Sequence, residues 1–204
     1  MTGPIGVGKS TTTSQLRNLS VLDEWQEKRP EILGKPWDEL TPAERRKADN
    51  WIIGQFKKKN DTLRHMELGV ISVVDRPPLD PLVFTSHSKR PQKAKRILDT
   101  LCPGGQYDVE KGMVILLLGD PSELSARVRA TGRQDYTSSK LMDMQENMKK
   151  LYGTRQGVIT IETMHMNIAE LTKRVAEVIH REPYAPADLT AILDEHKRGA
   201  HAAA

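Results

Sequence analysis

The first residues of the chain have the types and spacing of a phosphate-binding loop. The segment Gly3–Ser10 reads GPIGVGKS and matches the pattern G-x-x-x-x-G-K-[ST] at every fixed position. In such a loop, backbone N–H groups point inward around phosphate oxygens, and the glycines let the backbone approach them closely. Because the run STTTSQLRNL after Lys9 predicts a helix, we expect a phosphate site here and not an ordinary glycine-rich turn.

The residues of this loop have separate predicted roles. Lys9 is expected to act catalytically at the β- and γ-phosphates of ATP, and the Ser10 hydroxyl is expected to ligate Mg²⁺. The other expected nucleotide contacts are Gly3, Pro4, Ile5, Gly6, Val7, Gly8 and Thr11. The predicted cofactors are therefore ATP and Mg²⁺.

A second group of candidate residues follows the apolar stretch VISVVD, where Asp75 and Arg76 precede two prolines. In an open parallel sheet, ligands bind outside the carboxyl ends of the strands, so both side chains are expected to face the crevice of the loop. Asp75 is predicted to be the general base or to hold a Mg²⁺-bound water. Arg76 is predicted to be catalytic and to bind substrate phosphate. The alternative is a buried salt bridge between strand ends.

A third group lies in the segment SARVRATGRQDY, which contains Arg127, Arg129 and Arg133. We expect these arginines to follow a helix and to lie on a lid over about 127–137, with Arg129 and Arg133 on one helical face. Arg129 and Arg133 are predicted to be catalytic, since phosphoryl transfer needs cations that neutralise the transferring group. The alternative is a solvated basic helix surface.

Apolar stretches at 70–75, 113–120 and 158–161 predict buried parallel strands. Between them, helical spacing is expected at about 41–66, 88–101, from Asp120 onward, 167–182 and 187–197. Thr41 and Asp120 are predicted helix caps. The remaining helical signal is an apolar stripe that we interpret as core and that consists of Leu141, Met144, Met148, Leu151 and Tyr152.

Strands that alternate with helices predict an α/β fold with helices on both faces of a parallel sheet. The 204 residues, 37% of them hydrophobic, suit a single domain over 1–204, with a frayed tail at 198–204. The net charge of +4 suits an anionic ligand, a nucleic acid or an ordinary surface. A lone cysteine, Cys102, favours a reducing, cytoplasmic setting, and no apolar run is long enough to span a bilayer.

With these motifs in this order, the chain resembles the P-loop nucleoside and nucleotide kinases from Gly3 to about Ile179. It is most similar to the deoxynucleoside kinase group, with thymidylate kinases as near relatives. The stretch WIIGQFKKKNDTLRHM resembles the family helix whose glutamine reads the nucleobase, which implies that Gln55 binds the substrate base. The alternative is that Gln55 is an ordinary helix-surface residue.

The sequence also departs from the family pattern. Pro77 stands where the family has a serine after the acidic-Arg pair, and Thr131 occupies one lid arginine position. The family's catalytic glutamate lies on a second strand after the first helix. We expect no strand there in this chain, with Glu24 and Glu31 as the candidates, and therefore assign the general base to Asp75.

The resemblance implies a P-loop kinase-like three-layer sandwich that phosphorylates a nucleoside or nucleoside monophosphate with ATP and Mg²⁺. Three alternatives stay open: a kinase acting on a modified base in a polynucleotide, a regulatory P-loop NTPase without a small acceptor, and an inactive binding protein. A GTPase switch is disfavoured because the sequence contains no N-K-x-D motif. No membrane partner is expected, and a homodimer is an open alternative to the monomer.

The position of the loop raises one further expectation. In this fold class the phosphate loop follows a central strand, and only Met1 and Thr2 precede it here. We therefore expect the first strand to be missing or truncated, with the gap between the strand ending at Asp75 and the strand ending near Gly119.

Overall fold

The computed structural model describes residues 1–133 and 135–199. Their α-helices are α1 Lys9–Gln15, α2 Pro42–Arg64, α3 Asp80–Val83, α4 Arg90–Leu101, α5 Pro121–Ala130, α6 Ser138–Tyr152, α7 Ile168–Arg181 and α8 Leu189–Lys197. Their strands are β1 Ser20–Leu22, β2 Ser72–Val74, β3 Val114–Leu118 and β4 Val158–Glu162. Short 3₁₀ turns occur at Glu31–Gly34, Trp37–Glu39, His87–Lys89 and Pro103–Gly105.

The strands form two parallel pairs, β1 with β2 and β3 with β4. Met1 and Thr2 connect the pairs through backbone hydrogen bonds. The Met1 amino group donates to the Val74 carbonyl at 2.7 Å, and the Thr2 N–H donates to the Ile115 carbonyl at 2.8 Å. The order across the sheet is therefore β1, β2, Met1–Thr2, β3, β4, and the phosphate loop leaves its middle at the carboxyl end.

Strand β3 shows why this is a three-layer fold. All five of its residues are buried, as the sequence predicts for a strand covered on both faces. Leu116 and Leu118 pack into one hydrophobic cluster, mainly with helices α2, α4, α6 and α8. Ile115 and Leu117 point the other way, into a second cluster that includes α7. The parallel α/β architecture expected from the sequence is thus confirmed.

The helices that the sequence marks most strongly are also confirmed. Thr41 caps α2 with a complete capping box to Glu44, and Asp120 caps α5 by accepting from two backbone N–H groups. The predicted apolar stripe lies in α6, and all of its members are buried. These helices begin where local side-chain signals place them.

Two expectations near the N-terminus are wrong. Helix α1 ends at Gln15, several residues before the end of the helical run, and a strand that we did not expect follows it at Ser20–Leu22. Three consecutive threonines weaken α1 because β-branched side chains disfavour helices. The Ser20 N–H then pairs with the Ile71 carbonyl of the neighbouring segment at 3.3 Å, so a contact distant in sequence sets this strand.

At the C-terminus, Arg198 and Gly199 still hydrogen-bond to α8 through their backbone N–H groups. The rest of the tail that the sequence analysis expects to be frayed, 200–204, lies outside the described residues. No helix in the described part of the chain is long and apolar enough to cross a membrane.

Candidate active site

The phosphate loop depends on glycines at two close contacts. A Cβ on Gly3 would lie 2.5 Å from the Leu117 carbonyl oxygen of β3. Gly6 has φ of 83°, and a Cβ there would lie 2.6 Å from Cγ2 of Val128 in α5. Side chains at these positions would push the loop away from the sheet and from α5. The sequence pattern therefore reflects real packing constraints.

Lys9 begins α1 and is buried beneath the loop. Its Nζ donates to the carbonyls of Gly3 and Pro4, both at 2.8 Å. The pKa of Lys9 is lowered to about 8, mainly by burial and also by the neighbouring Arg76 guanidinium, while the carboxylates of Asp75, Asp80 and Glu24 oppose the shift. The ammonium thus connects the first helical residue to the first two residues of the loop, and its contact with phosphate stays a prediction.

Ser10 and Asp75, which the sequence predicts to share a metal, are in contact. The Ser10 Oγ donates to Asp75 Oδ2 at 3.2 Å. Asp75 follows β2 and is 1% exposed, and its Oδ1 has no hydrogen-bond partner among the described residues. A buried carboxylate oxygen without a partner is costly, and a hard divalent cation is the ligand that such oxygens prefer. The donor set therefore fits Mg²⁺.

Arg76 lies next to Asp75 in a left-handed backbone conformation with φ of 65°, which is unusual for a residue other than glycine. Its Nε donates to Glu24 Oε1 at 2.8 Å, and its Nη1 donates to Asp80 Oδ2 at 3.2 Å. Burial opposes the charge of Arg76, but Glu24, Asp80 and Asp75 outweigh it and raise the pKa of the guanidinium. The strand end does contain an ion pair, formed by Arg76 and not by Asp75.

Asp80 is a buried neighbour of Arg76 that the sequence analysis did not name. It is 2% exposed and accepts hydrogen bonds from Thr2 Oγ1 at 2.7 Å and from the Tyr152 hydroxyl at 2.5 Å. Burial and the Asp80 charge raise the pKa of Tyr152 well above its usual range. The Tyr152 hydroxyl therefore remains a donor and fixes the carboxylate that holds Arg76. The sequence analysis interpreted Tyr152 as an apolar core residue because its ring fits the stripe, which gives no information about the hydroxyl.

Glu24 follows the unexpected strand β1 by two residues, which brings it to the same edge of the sheet as Asp75. The sequence analysis named Glu24 as a candidate but supplied no strand to position it. Its side chain is 27% exposed, compared with 12% for Arg76. Glu24 is thus the most exposed carboxylate of this cluster, since Asp75 and Asp80 are buried.

Gln55 is buried in α2 at 1% exposure, so the interpretation as an ordinary helix-surface residue is wrong. Its Oε1 accepts from the Gln26 N–H at 2.9 Å, and its Nε2 donates to Glu27 Oε2 at 3.1 Å. Gln55 therefore anchors the segment after β1 to α2. Its predicted contact with a nucleobase stays a prediction.

The arrangement of the arginines differs from the expected one. Helix α5 continues to Ala130, so Arg127 and Arg129 lie in its last turn and Arg133 lies beyond its end. Arg129 and Arg133 therefore do not share a helical face, because Thr131 caps the helix between them. The predicted lid at 127–137 also includes Gln134, which lies outside the described residues. Val128 nevertheless places this turn against Gly6 of the loop.

The comparisons with known proteins agree with this geometry at the level of the fold. The chain is similar in structure to deoxyadenosine kinase from M. mycoides, solved with bound dATP, with a TM-score of 0.61 and 11% identity over 86% of this chain and 95% of that one. The chain therefore has the fold of a P-loop nucleoside kinase. The YorR protein of Bacillus subtilis, solved in complex with phosphorylated GDP, gives a TM-score of 0.48 and 18% identity over 89% and 96%. No family model and no curated protein sequence matches the chain.

Proposed function

We propose that this protein is an ATP- and Mg²⁺-dependent phosphotransferase whose acceptor is a nucleoside or a nucleoside monophosphate. The observation behind the proposal is the contact between Ser10 of the phosphate loop and Asp75 at the end of β2, 3.2 Å apart. This contact places the phosphate loop next to the ends of β1 and β2, where Glu24 and Arg76 lie. The fold shared with a deoxyadenosine kinase makes a nucleoside the acceptor class to test first.

Loop residues 3–11 would hold the ATP phosphates, with Lys9 beside the β- and γ-phosphates. Ser10 and Asp75 would hold Mg²⁺, which neutralises charge on the phosphate oxygens when bound. The partnerless Oδ1 of Asp75 supports this assignment. Arg129 and Arg133 would approach the transferring group from the α5 side.

In the reaction, the acceptor oxygen attacks the γ-phosphorus and forms the new P–O bond, while the bond from that phosphorus to the β,γ-bridging oxygen breaks. An acceptor hydroxyl also loses its proton. We assign that proton to Glu24, with Asp75 as the second candidate. The Glu24 side chain is 27% exposed, whereas Asp75 is 1% exposed and is the proposed metal ligand.

The acceptor would lie between this cluster and the segment that Gln55 anchors. Arg76 would contact its reactive end, and Gln55 its base. Trp25 and Trp51 lie nearby with ring centroids 5.1 Å apart, and offer apolar surface for a base.

The buried Cys102 is compatible with the reducing conditions of the cytoplasm.

The test is phosphorylation by the purified chain with ATP and Mg²⁺ of a panel of nucleosides, their monophosphates and a single-stranded oligonucleotide, with products identified by mass. We expect one small acceptor class to be phosphorylated. The Lys9→Ala variant is the inactive control and should lose transfer. ATP hydrolysis that no acceptor stimulates would indicate a regulatory NTPase instead. Phosphorylation of the oligonucleotide alone would indicate a polynucleotide kinase. The absence of any turnover would indicate a binding protein.

A further inference from the structure

Lys59 is a buried cation in α2 to which the sequence pattern gives no function. Its side chain is 2% exposed. The Nζ donates to three main-chain carbonyls, those of Asp75 at 2.6 Å, Arg76 at 3.2 Å and Glu24 at 3.3 Å. A lysine ammonium has three hydrogen atoms to donate, so these bonds use its full capacity.

The three carbonyls lie where the pairing between the β1 and β2 segments ends. The backbone bonds between the β1 and β2 segments end with the Asp75 N–H donating to the Leu22 carbonyl at 2.9 Å. Glu24 and Arg76 follow that last bond. Lys59 therefore connects the two chain segments after their strands end, and it does so from the helix that covers them.

The position of Arg76 shows what this connection maintains. Its left-handed backbone is disfavoured for a residue with a Cβ and persists only where the surroundings impose it. Lys59 binds the carbonyls on both sides of that residue's Cα, those of Asp75 and Arg76. The same ammonium holds the backbone of Glu24, whose side chain pairs with Arg76.

The nearby charges explain why a lysine is tolerated here. Burial disfavours the charged form and lowers the pKa of Lys59 to about 8; the carboxylates of Asp75, Asp80 and Glu24 oppose this lowering, while the Arg76 guanidinium adds to it. The ammonium also lies 4.9 Å from the centre of the Phe56 ring, whose face favours a cation. The lysine is thus built into the cluster and does not simply extend to solvent.

We propose that Lys59 is a positioning residue for phosphoryl transfer: it fixes the strand ends so that the Glu24 carboxylate and the Arg76 guanidinium meet the acceptor in a single geometry. This inference rests on the proposed function. Lys59 acts through the backbone of those residues and touches neither ATP nor the acceptor. The phosphate loop forms its own contacts, but Lys59 also holds the backbone of the proposed metal ligand Asp75. At saturating Mg²⁺, ATP binding should therefore depend on Lys59 less than phosphoryl transfer does.

The experiment compares Lys59→Met with Lys57→Met, using the acceptor that the unmodified chain phosphorylates. Lys57 lies two residues away in α2 with its side chain 43% exposed and pairs with Asp61, so it controls for the loss of a lysine from this helix. We expect Lys59→Met to lower kcat by about 100-fold, the usual cost of slightly misplaced reacting groups. The KM for ATP, measured at saturating Mg²⁺, should change much less than kcat, and Lys57→Met should behave like the unmodified chain.

A purely structural role is separated by measuring the folded fraction of each variant by circular dichroism at the assay temperature. Lys59→Gln keeps a hydrogen-bond donor and should regain part of the kcat that Lys59→Met loses. If Lys59→Met does not fold, the kcat of Lys59→Gln is compared with its folded fraction instead. Unchanged kcat, or a loss equal to the loss of folded protein, would overturn the inference while leaving the proposed function intact. Absence of transfer by the unmodified chain would instead refute the proposed function itself.

Discussion

Arg76 and Glu24 are paired at 2.8 Å although 52 residues separate them in the sequence. Each follows a strand, β2 for Arg76 and β1 for Glu24, and the parallel pairing of these strands brings their ends together. Asp80 holds the guanidinium from its other side. Arg76 is therefore paired with one buried carboxylate, Asp80, and one partly exposed carboxylate, Glu24, which makes Glu24 the group to test first.

Glu24→Gln should lower the rate of acceptor phosphorylation by roughly 10²–10⁴, the usual contribution of a general base. The amide keeps a hydrogen bond to Arg76 but cannot accept the proton. The rate is measured at saturating ATP and acceptor. Glu31→Gln is the matched control, because Glu31 lies in an exposed 3₁₀ turn and was the other candidate glutamate. A loss of activity in the control alone would reverse the assignment.

Asp75→Asn should also lower turnover by roughly 10²–10⁴ if Asp75 is the base, the range given for that role. If Asp75 instead holds the metal, the deficit should shrink as Mg²⁺ is raised, because a neutral amide binds a hard cation more weakly. The measurement is turnover against Mg²⁺ concentration, together with the midpoint of thermal unfolding. A lower midpoint with unchanged turnover per folded molecule would leave Asp75 with only a structural role.

Local signals in the sequence were enough to predict the loop, the position of Asp75 beside it and the caps of α2 and α5. Each of these depends on residues at fixed short spacing, or on the rule that parallel strands end at one edge. The strand that ends before Asp75 was visible because a run of apolar residues marks it, although pairing begins only at Ser72.

The remaining features are set by contacts between distant segments. Strand β1 has only three residues, too few for a periodic signal, and forms because β2 offers it a pairing edge. Lys59 and Asp80 look like ordinary surface charges in the sequence, since charged side chains are rarely buried without partners. Their partners, three backbone carbonyls for Lys59 and Tyr152 for Asp80, are known only once the chain is folded.

Gln55→Ala should change the preference among nucleobases more than the affinity for ATP, if the glutamine reads the base. A site built to hydrogen-bond a substrate group discriminates strongly when that group is absent. The structure adds a second expected effect, because Gln55 also anchors Gln26 and Glu27. The measurement is kcat/KM for each nucleoside in the panel. Equal losses for every base would assign Gln55 to anchoring that segment alone.

Tyr152→Phe should lower the free energy of unfolding by about 1–3 kcal/mol, the usual cost of removing a buried hydrogen bond to a charged group. The ring stays in the core, while Asp80 loses its 2.5 Å donor. Chemical denaturation measures the change. Tyr184→Phe is the control. The Tyr184 hydroxyl donates to the main-chain carbonyl of Lys111, but the residue is 70% exposed. Equal effects in both variants would contradict a special role for the buried network.

Gly6→Ala should destabilise the protein more than Gly132→Ala, although both glycines have φ of 83°. The left-handed backbone costs an alanine about 1–2 kcal/mol at either position. At Gly6 the new methyl group meets Val128 Cγ2 at 2.6 Å, whereas no atom of the described residues lies within 4 Å of the Cβ position at Gly132. Overpacking of this kind costs typically a further ~1–3 kcal/mol. Chemical denaturation gives the free energy of unfolding of both variants, and the difference between their losses is the steric cost at Gly6.

The double variant Gly6→Ala, Val128→Ala tests the cause of that difference. Removing Val128 Cγ2 opens space for the new methyl group, so the two substitutions together should destabilise the protein less than the sum of their separate effects. Strict additivity would mean that the loop does not press on α5. A smaller combined loss would show that the phosphate loop packs directly against the last turn of α5, which carries Arg127 and Arg129. A change in the conformation of the loop would then shift the position of those arginines.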